Sequence, residues 1–566
     1  MRYIICGTLR FHYFGEITLL DIIDPRGKKA LNRAINKKIV WPNILAGQRI
    51  GFFGNGKSNV QGFFNVWVEL SMREGSSDAF ILMKEGPMTV GGKKRYQCLM
   101  ERADLVVVGI CDGGTAASQG AIDAATLAGH GVPTILLCTD TFVSLARISL
   151  PENCQGVRVI VIPHPLSSLT TEKTIDLARN NFVVLKSVIA SESKTDVDDK
   201  RGERSLLSDS AALLQDLSEI PRVNIDYQGS VVMSGCGLSD GLPVFLPTRE
   251  RVNKILESWP PLTSDDNVPV IPPRNGLATP AVIAANAVMT GMPTHLAPYA
   301  DSVIRALCDP DFQVFNLQTT TNPVTPVIVV GGAATEQNGF NNKTGAMGGG
   351  NVSNASLGRT LKLCMRNIGG ASEEKGVDPA TIGQPGKYTF CFAELEGLID
   401  WPPLRSQTAH AVDADQDAVT LVGVTGTANM IIKATSAEEL VEMIAKSIKS
   451  VGSNDYMFGG SPLLVLCPEH AQIFKNENVT IQEVKQSLFD LTKLKFSEFS
   501  PKNREMMVTP RLGDLGILDP ENDVPMTKNP DGFLICVAGG ASLHSTFMPS
   551  FGGSTPVSYA VKFGAS

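Results

Sequence analysis

The chain has 566 residues and a net charge of −7, from 50 basic and 57 acidic side chains. A chain of this length can bury substantial cores, so it needs neither disulfides nor structural metals to fold. The acidic balance argues against nucleic acid as a partner. No apolar run reaches the ~18 residues of a membrane span, so no membrane partner is expected. The 11 cysteines are odd in number and form no CxxC pair, which favours reduced thiols and predicts a cytoplasmic location.

Short apolar runs alternate with helix-like segments through the first third of the chain. Buried parallel strands are apolar without alternation, and five runs have this character. These predicted strands are 50–53, 79–83, 105–110, 134–138 and 157–162. Helices are predicted at 58–71 and at 118–128, the latter with Ser118 as its N-cap. The pattern predicts an α/β domain built on a doubly wound parallel sheet.

A polar stretch separates this region from the rest, since residues 191–205 contain nine charged side chains. We therefore predict an N-terminal domain over 1–190, a polar linker over 191–220 and a larger C-terminal α/β domain over 221–566. Apolar runs predict further strands at 327–330, 419–424, 463–466 and 533–537. A helix is predicted over 437–449, with Ser436 as its cap.

Residues 51–58 match the P-loop pattern G-x-x-x-x-G-K-S. The apolar strand, however, runs on through Phe53 and leaves too few residues for a phosphate-binding loop. The favoured interpretation is a strand-to-helix turn, and nucleotide hydrolysis at Lys57 is the alternative. Because the turn follows a strand, Asn55 and Lys57 are predicted to contact an anionic substrate.

The third predicted strand ends in a loop whose residues could take part in catalysis or binding. The loop contains Cys111, Asp112, Gly113, Gly114 and Thr115. Ligands of open α/β sheets bind beyond the carboxyl ends of the strands. A glycine pair before a helix lets backbone amides approach an anion. Asp112 is predicted to transfer a proton, and residues 113–115 are predicted to bind substrate.

Residues 109–137 resemble the UGSC family of thiol- and selenol-containing proteins, in which this loop reads Asp-(Sec or Cys)-Gly-Ser-Cys. Residues 55–57 and 161–166 add to the resemblance, and the latter run is also remotely similar to the selenocysteine subunit of the glycine/betaine reductases. Further motifs extend the resemblance across most of the chain, from about residue 46 to 557. They are 241–244, 286–291, 351–359, 383–387 and 468–471.

The resemblance implies that the redox pair of the family is missing here. Gly113 stands at the position of the selenocysteine or cysteine, and Ala116 at that of the second cysteine. Neither residue can attack a substrate or form a selenenylsulfide, so the thiol redox role does not carry over to this loop. Cys111 is the candidate for a displaced nucleophile, because a thiol near a helix N-terminus can have a lowered pKa. A buried structural cysteine is the alternative interpretation.

The second region contains a loop rich in glycine, asparagine and serine, over residues 345–356. It leads into a helix predicted over 357–367, with Asn354 or Ser356 as the cap. Free amides, a helix N-terminus and a nearby arginine make a site for a carboxylate or phosphate. The predicted substrate-binding residues here are Gly349, Gly350, Asn351, Asn354 and Arg359.

Three histidines follow predicted strands. His470 comes next to Glu469 at the start of a helix, and the two are predicted to form an acid–base pair. His164 lies between two prolines, and His544 follows the last of the predicted strands given above; both are predicted to bind substrate. No His, Cys, Asp or Glu cluster has metal-ligand spacing, so neither a metal nor a cofactor is predicted.

Together these features predict an enzyme that acts on a small polar anionic metabolite in a cleft between two α/β regions. Asp112, Glu469 and His470 are the candidates for proton transfer, and the reaction class stays open among lyase, hydrolase and transferase. One alternative is an oxidoreductase that uses a displaced thiol such as Cys111. Another is a non-catalytic binding partner of an active thiol protein. The sequence leaves homo-oligomerisation open.

Overall fold

A computed structural model describes residues 6–13, 16–29, 39–57, 59–84, 86, 90–151, 154, 156–191, 225–261, 267–372, 377–507 and 521–563. The predicted linker over 191–220 lies, from residue 192 onward, outside these described residues. No helix in the described ranges combines the length and the apolar character needed to cross a membrane.

The first region is a five-stranded parallel sheet, and all five of its predicted strands are confirmed. Its strands are β3 (Arg49–Gly54), β4 (Asp78–Met83), β5 (Leu105–Cys111), β6 (Thr134–Thr139) and β7 (Val157–Ile162). An antiparallel hairpin of β1 (Cys6–Tyr13) and β2 (Glu16–Ile23) precedes it. The strand order is β4-β3-β5-β6-β7, with every pair parallel.

Helices cover both faces of this sheet, which confirms the doubly wound arrangement. They are α1 (Val60–Arg73), α2 (Lys93–Arg102), α3 (Gly114–Gly129), α4 (Val143–Ser149) and α5 (Thr171–Ala190). Alternate residues of β5 point to opposite faces, as a pleated strand requires. Val106 and Val108 pack with α2, α3 and α4, whereas Leu105 and Val107 pack with α1 and α5.

The second region is larger and contains two four-stranded mixed sheets. The first is β11-β10-β12-β19 and the second is β13-β18-β14-β17. The strands here are β8 (Val270–Ile271), β9 (Gly276–Leu277), β10 (Thr325–Gly331), β11 (Cys391–Ala393), β12 (Ala418–Val424), β13 (Ala428–Ile431), β14 (Leu463–Leu466), β15 (Leu494–Lys495), β16 (Asp523–Val524), β17 (Leu534–Val537), β18 (His544–Met548) and β19 (Val557–Ala560). The strands predicted in this region are thus present.

Helices lie outside both mixed sheets. They are α6 (Ile225–Gly235), α7 (Arg249–Leu256), α8 (Pro280–Thr290), α9 (Ala297–Leu307), α10 (Val314–Thr319), α11 (Val352–Asn367), α12 (Ala437–Ile448), α13 (Asn454–Phe458), α14 (Pro468–Asn476), α15 (Ile481–Leu491) and α16 (Pro501–Met507). The predicted helix at 437–449 is present, and the Ser436 hydroxyl accepts a hydrogen bond from the amide of Glu439.

The layers of the second region follow from which side chains share a core. Val327 and Val329 of β10 pack with Leu463 and Val465 of β14, so the two sheets face each other. The intervening side chains of β10 pack outward against α8, α9 and α11. The outer side of the second sheet packs against α12, α14 and α15. The result is a four-layer arrangement of helices, sheet, sheet and helices, which confirms a larger C-terminal α/β region.

The two regions are in contact at the N-terminus of α3. The side-chain amide of Gln119 donates to Oδ1 of Asn316, a residue of the second region, at 3.1 Å. Val377, also of the second region, packs in a hydrophobic core of the first region. A second contact lies near the N-terminus of the chain, where the Ile23 amide donates to the Pro247 carbonyl at 3.0 Å. Residues 22 and 23 therefore pack on the second region, while the predicted domain boundaries themselves stay a prediction.

Two predicted helix starts are wrong. Helix α3 begins at Gly114 rather than residue 118, and the Ser118 hydroxyl donates to the Gly114 carbonyl one turn back instead of capping the helix. Helix α11 begins at Val352 rather than residue 357, with Asn351 as its N-cap. In both cases glycines and small polar residues, which favour loops, lie in or just before the first turn.

We predict that Gly114→Ala destabilises the protein by about 1–3 kcal/mol, the usual penalty for overpacking. A Cβ at this position would lie 1.7 Å from the Thr319 carbonyl oxygen and 2.8 Å from Pro379 Cγ, where the two regions touch. Gly129→Ala is the matched control at the other end of α3, because a Cβ there meets nothing within 4 Å. Urea unfolding of both variants measures the difference, and equal stability would contradict the close approach.

Candidate active site

The carboxyl ends of β3 and β5 lie side by side in the first sheet. When its five strands are numbered 1 to 5 along the chain, their order in the sheet is 2-1-3-4-5. The chain therefore proceeds in opposite directions across the sheet on the two sides of the β3/β5 pair. Open α/β sheets bind ligands in the crevice that such a reversal creates. The loops at this crevice are 55–57 and 112–114, and both were predicted from the sequence to be functional.

Asp112 is buried at the end of β5, and each of its carboxylate oxygens has a neighbour. Oδ2 accepts hydrogen bonds from the backbone amides of Leu166 and Ser167, at 3.2 and 2.7 Å. Oδ1 lies 2.7 Å from Nδ1 of His164, which is an ion-pair distance, but the two groups lack the alignment of a hydrogen bond. The loop after β7 thus returns to the end of β5 and places His164 next to Asp112, both of which are predicted site residues.

The polar contacts of the His164 ring within the described residues are made by Nδ1, and none of them by Nε2. Its Nδ1 also lies 3.3 Å from the Thr139 hydroxyl, and Phe142 packs edge-on against the ring. The side chain is 33% exposed. Among the described residues, Nε2 has no hydrogen-bond partner. A buried carboxylate at Nδ1 favours the tautomer in which Nε2 is the basic nitrogen.

Lys57 and Asn55 join the loop after β3 to the end of β5. The Asn55 side-chain amide donates to the Ile110 carbonyl at 2.6 Å, and the Lys57 ammonium donates to the Asp112 carbonyl. Burial lowers the pKa of Lys57, and the nearby charge of Asp112 opposes this shift. Strand β3 does run through Phe53, as predicted, which leaves only a short turn. Asn55 thereby fixes the turn, and Lys57 supplies its charge.

The three residues predicted to bind substrate at the start of α3 differ in their surroundings. A Cβ at Gly113 would lie 2.5 Å from Nζ of Lys57, so the absence of a side chain leaves room for the ammonium group. Gly114 faces the second region, as described above. Thr115 is half-buried in the first turn of α3.

Cys111 is part of the sheet core. Its side chain is buried, and a Cβ added to Gly120 of α3 would lie 2.6 Å from its Sγ. Cys138 is its partner in the register of β5 and β6. Burial and the neighbouring Cys111 raise the pKa of Cys138 well above its ordinary value. These contacts favour the structural interpretation of Cys111 over the nucleophilic one.

The glycine-rich loop of the second region is held by its own asparagines. Asn351 Oδ1 accepts from the Asn354 amide at 2.8 Å, and its Nδ2 donates to the Gly339 carbonyl at 2.8 Å. Asn354 binds the backbone of Asn341 and Ala346. Both side chains therefore serve loop geometry, while Gly349 and Gly350 are exposed with open space around them.

Arg359 has its guanidinium engaged within the second region. It donates to both carboxylate oxygens of Asp240, at 2.8 Å each, and to the carbonyls of Leu242 and Pro243. This bidentate pair joins α11 to the segment before α7. A substrate anion would have to displace Asp240 to reach Arg359.

His470 and Glu469 lie at the start of α14, as predicted, but His470 is fully buried. Its Nδ1 lies 2.6 Å from the Ser545 hydroxyl and its Nε2 2.9 Å from the Ile432 carbonyl. Burial alone would raise the pKa of the neighbouring Cys467, yet hydrogen bonding with His470 lowers it. A proton-transfer role for His470 would require one of these contacts to break.

His544 is exposed at the start of β18, with Nδ1 3.2 Å from Asn429 Oδ1. Within the described ranges, one group brings potential metal ligands within 4.8 Å of one another, namely Asp309, Asp311 and His410. His410 Nε2 lies 2.8 Å from Asp311, so these residues satisfy one another as an ion pair. The expectation of no metal and no cofactor stays a prediction.

Thr139 and the amides of residues 166 and 167 also belong to the site, although they are not predicted from the sequence. Thr139 donates to the Cys111 carbonyl at 3.2 Å besides approaching His164. The position of Thr139 at the end of β6 is the one sequence feature that indicates a possible site residue. The two amides carry no side-chain signal, because a backbone donor is identified only by the fold.

Comparison with known families supports the resemblance given above. Residues 21–190 match the UGSC family, which confirms the family assignment for the first region. The motifs of the second region lie outside this match, so their resemblance stays a prediction. No curated protein matches this chain.

We predict that Cys111 and Cys138 react much more slowly with iodoacetamide than the half-buried Cys98, because both thiols are buried beneath α3. Mass spectrometric mapping of the folded protein measures the rates, and unfolding in urea should equalise them. Labelling of Cys111 as fast as that of Cys98 would instead favour the displaced-thiol alternative.

Proposed function

We propose that this chain, whose residues 21–190 belong to the UGSC family, is an enzyme that transfers a proton on a small polar anionic metabolite, without a thiol or selenol pair. The observation that carries the proposal is the pairing of Asp112 with His164 at the sheet reversal. The reaction class stays open among lyase, hydrolase and transferase, and the cytoplasm is the proposed location.

In this proposal His164 is the base and Asp112 is its positioning residue. Oδ2 of Asp112 is fixed by two amides, and Oδ1 lies within ion-pair distance of Nδ1, although the two are not aligned as a hydrogen bond. The carboxylate stabilises the imidazolium that forms when Nε2 takes a proton. Because Nε2 is the open side of the ring, substrate can reach it.

The anionic part of the substrate is assigned to Lys57 and the start of α3. The 16-residue helix α3 presents its positive dipole end at the crevice. A bound anion would offset the burial that lowers the pKa of Lys57 and would stabilise its charged form. The contact of Gly114 with Thr319 and Pro379 brings the second region to the same edge and closes one side of the cleft.

The test is incubation of the full chain with pooled small carboxylates and phosphate esters in D₂O, followed by proton NMR. We expect at least one compound to lose signal by exchange or conversion. His164→Gln should reduce that rate by about 10²–10⁴-fold, the range for loss of a general acid–base. His130→Gln is the control, because His130 is exposed and its Nδ1 binds Thr126 of its own helix.

Lys57→Met separates binding from proton transfer in the same assay. It should raise the half-saturating concentration by roughly 10–100-fold, since a hydrogen bond to a charged group contributes about 1.5–3 kcal/mol. Lys186→Met, at an exposed ion pair with Glu74, should leave it unchanged. If His164→Gln matches the control in rate, the proposal fails, whatever Lys57→Met does.

A further inference from the structure

A cavity of about 620 Å³ is lined by residues of the second region. It is lined by α10, α11 and the segment from residue 378 to 388. Its volume falls within the usual range of small-molecule sites. Apolar residues share its wall with five charged side chains, namely Asp240, Lys362, Arg366, Asp378 and Lys387. The polar groups that matter are Lys362, Gln318 and Lys387.

Lys362 is buried on α11 and lies in the cavity wall. Its Nζ donates to the Thr325 hydroxyl at 2.8 Å and to the Pro326 carbonyl. A neutral amine has two N–H groups and one lone pair, whereas an ammonium group has three N–H groups and no lone pair. The two contacts use two N–H groups, so they satisfy the neutral amine and leave its lone pair available.

The surroundings of Lys362 favour that neutral form. Burial lowers its pKa well below the ordinary value, and the positive charge of Lys387 lowers it further. Lys387 itself pairs with Asp378 in the same wall. A lysine that is desolvated and close to a second cation is the arrangement that makes an amine nucleophilic at neutral pH.

Gln318 provides the second, independent observation. Its Nε2 donates to the Pro272 carbonyl, which identifies Oε1 as the acceptor end of the amide. Oε1 is buried and has no hydrogen-bond partner within the described residues. A buried acceptor without a donor costs about 1–3 kcal/mol. Because Gln318 also lines the cavity, a hydroxyl group of a bound ligand is the donor that we assign to it.

We propose that Lys362 forms an imine with a small hydroxylated aldehyde or ketone bound in this cavity. The Nζ lone pair attacks the carbonyl carbon, and the resulting carbinolamine loses its oxygen as water to give the C=N bond. Both amine hydrogens leave with that water when the neutral imine forms. The step involves no oxidant or reductant, and water reverses it. This site is independent of the proposed function of the first region.

The test is reductive trapping with dihydroxyacetone and sodium borohydride, followed by peptide mapping of the full chain. Borohydride adds hydride to the imine carbon and fixes the adduct as a secondary amine. We expect the adduct on Lys362 in at least tenfold excess over any other lysine. Lys485 is the internal comparison, because it is also buried with a pKa lowered by burial but does not line the cavity.

Two variants define the site further. Lys362→Met should abolish the dominant adduct, whereas Lys485→Met should leave it unchanged. Gln318→Leu should raise the half-saturating concentration of dihydroxyacetone up to about tenfold, the effect of one hydrogen bond, but not that of acetone.

An adduct spread evenly over surface lysines, or equal labelling of Lys485 and Lys362, would overturn the proposal. Mapping of the unmutated chain decides this even if Lys362→Met does not fold. Equal effects of Gln318→Leu on dihydroxyacetone and acetone would overturn the assignment of a hydroxylated ligand.

Discussion

A buried carboxylate must be compensated, and the site of the first region is built around that requirement at Asp112. Removal of a carboxylate from water is costly unless hydrogen bonds and opposite charges replace the lost hydration. Asp112 receives two amides from the loop after β7, and the His164 ring lies beside its other oxygen. The Lys57 ammonium approaches through the carbonyl of the same residue. The loops after β3 and β7 thus both contact Asp112, the first through its backbone carbonyl and the second through its carboxylate.

This compensation also creates reactivity. Two backbone amides fix the Asp112 carboxylate in one orientation. In the proposed function, its other oxygen orients His164 and the substrate approaches Nε2. The second region adds to this through the close approach of Gly114 to the Thr319 carbonyl, which only a glycine permits.

The surroundings of Gly113 bear on the resemblance to the UGSC family. The resemblance predicts that this glycine stands at the position of the reactive selenocysteine or cysteine of the family. A Cβ at this position would lie 2.5 Å from the Lys57 ammonium, so a side chain here would compete with the lysine for the same space.

Much of the fold could be predicted from the sequence, because buried parallel strands are continuous apolar runs whatever their order. The site could be predicted only in part. Asp112 and His164 are each predicted from the sequence as site residues, but their proximity depends on the path of the loop after β7, which no periodicity encodes. Asn351 and Asn354 are predicted to bind substrate because free loop amides, a helix N-terminus and a nearby arginine suit an anion. In the structure, the two side chains bind the loop backbone instead. Lys362 is not predicted from the sequence, because a lysine in an amphipathic helix gives the same pattern on a surface and beside a cavity.

The most direct test of this account is the protonation state of the His164 ring, measured by nitrogen-15 NMR at alkaline pH, where imidazoles are neutral. The account predicts that Nδ1 carries the proton and Nε2 does not, and that Asp112→Ala shifts the ring toward the Nε2-protonated tautomer. A His164 that is Nε2-protonated in the unmutated chain, or a tautomer indifferent to Asp112, would contradict it.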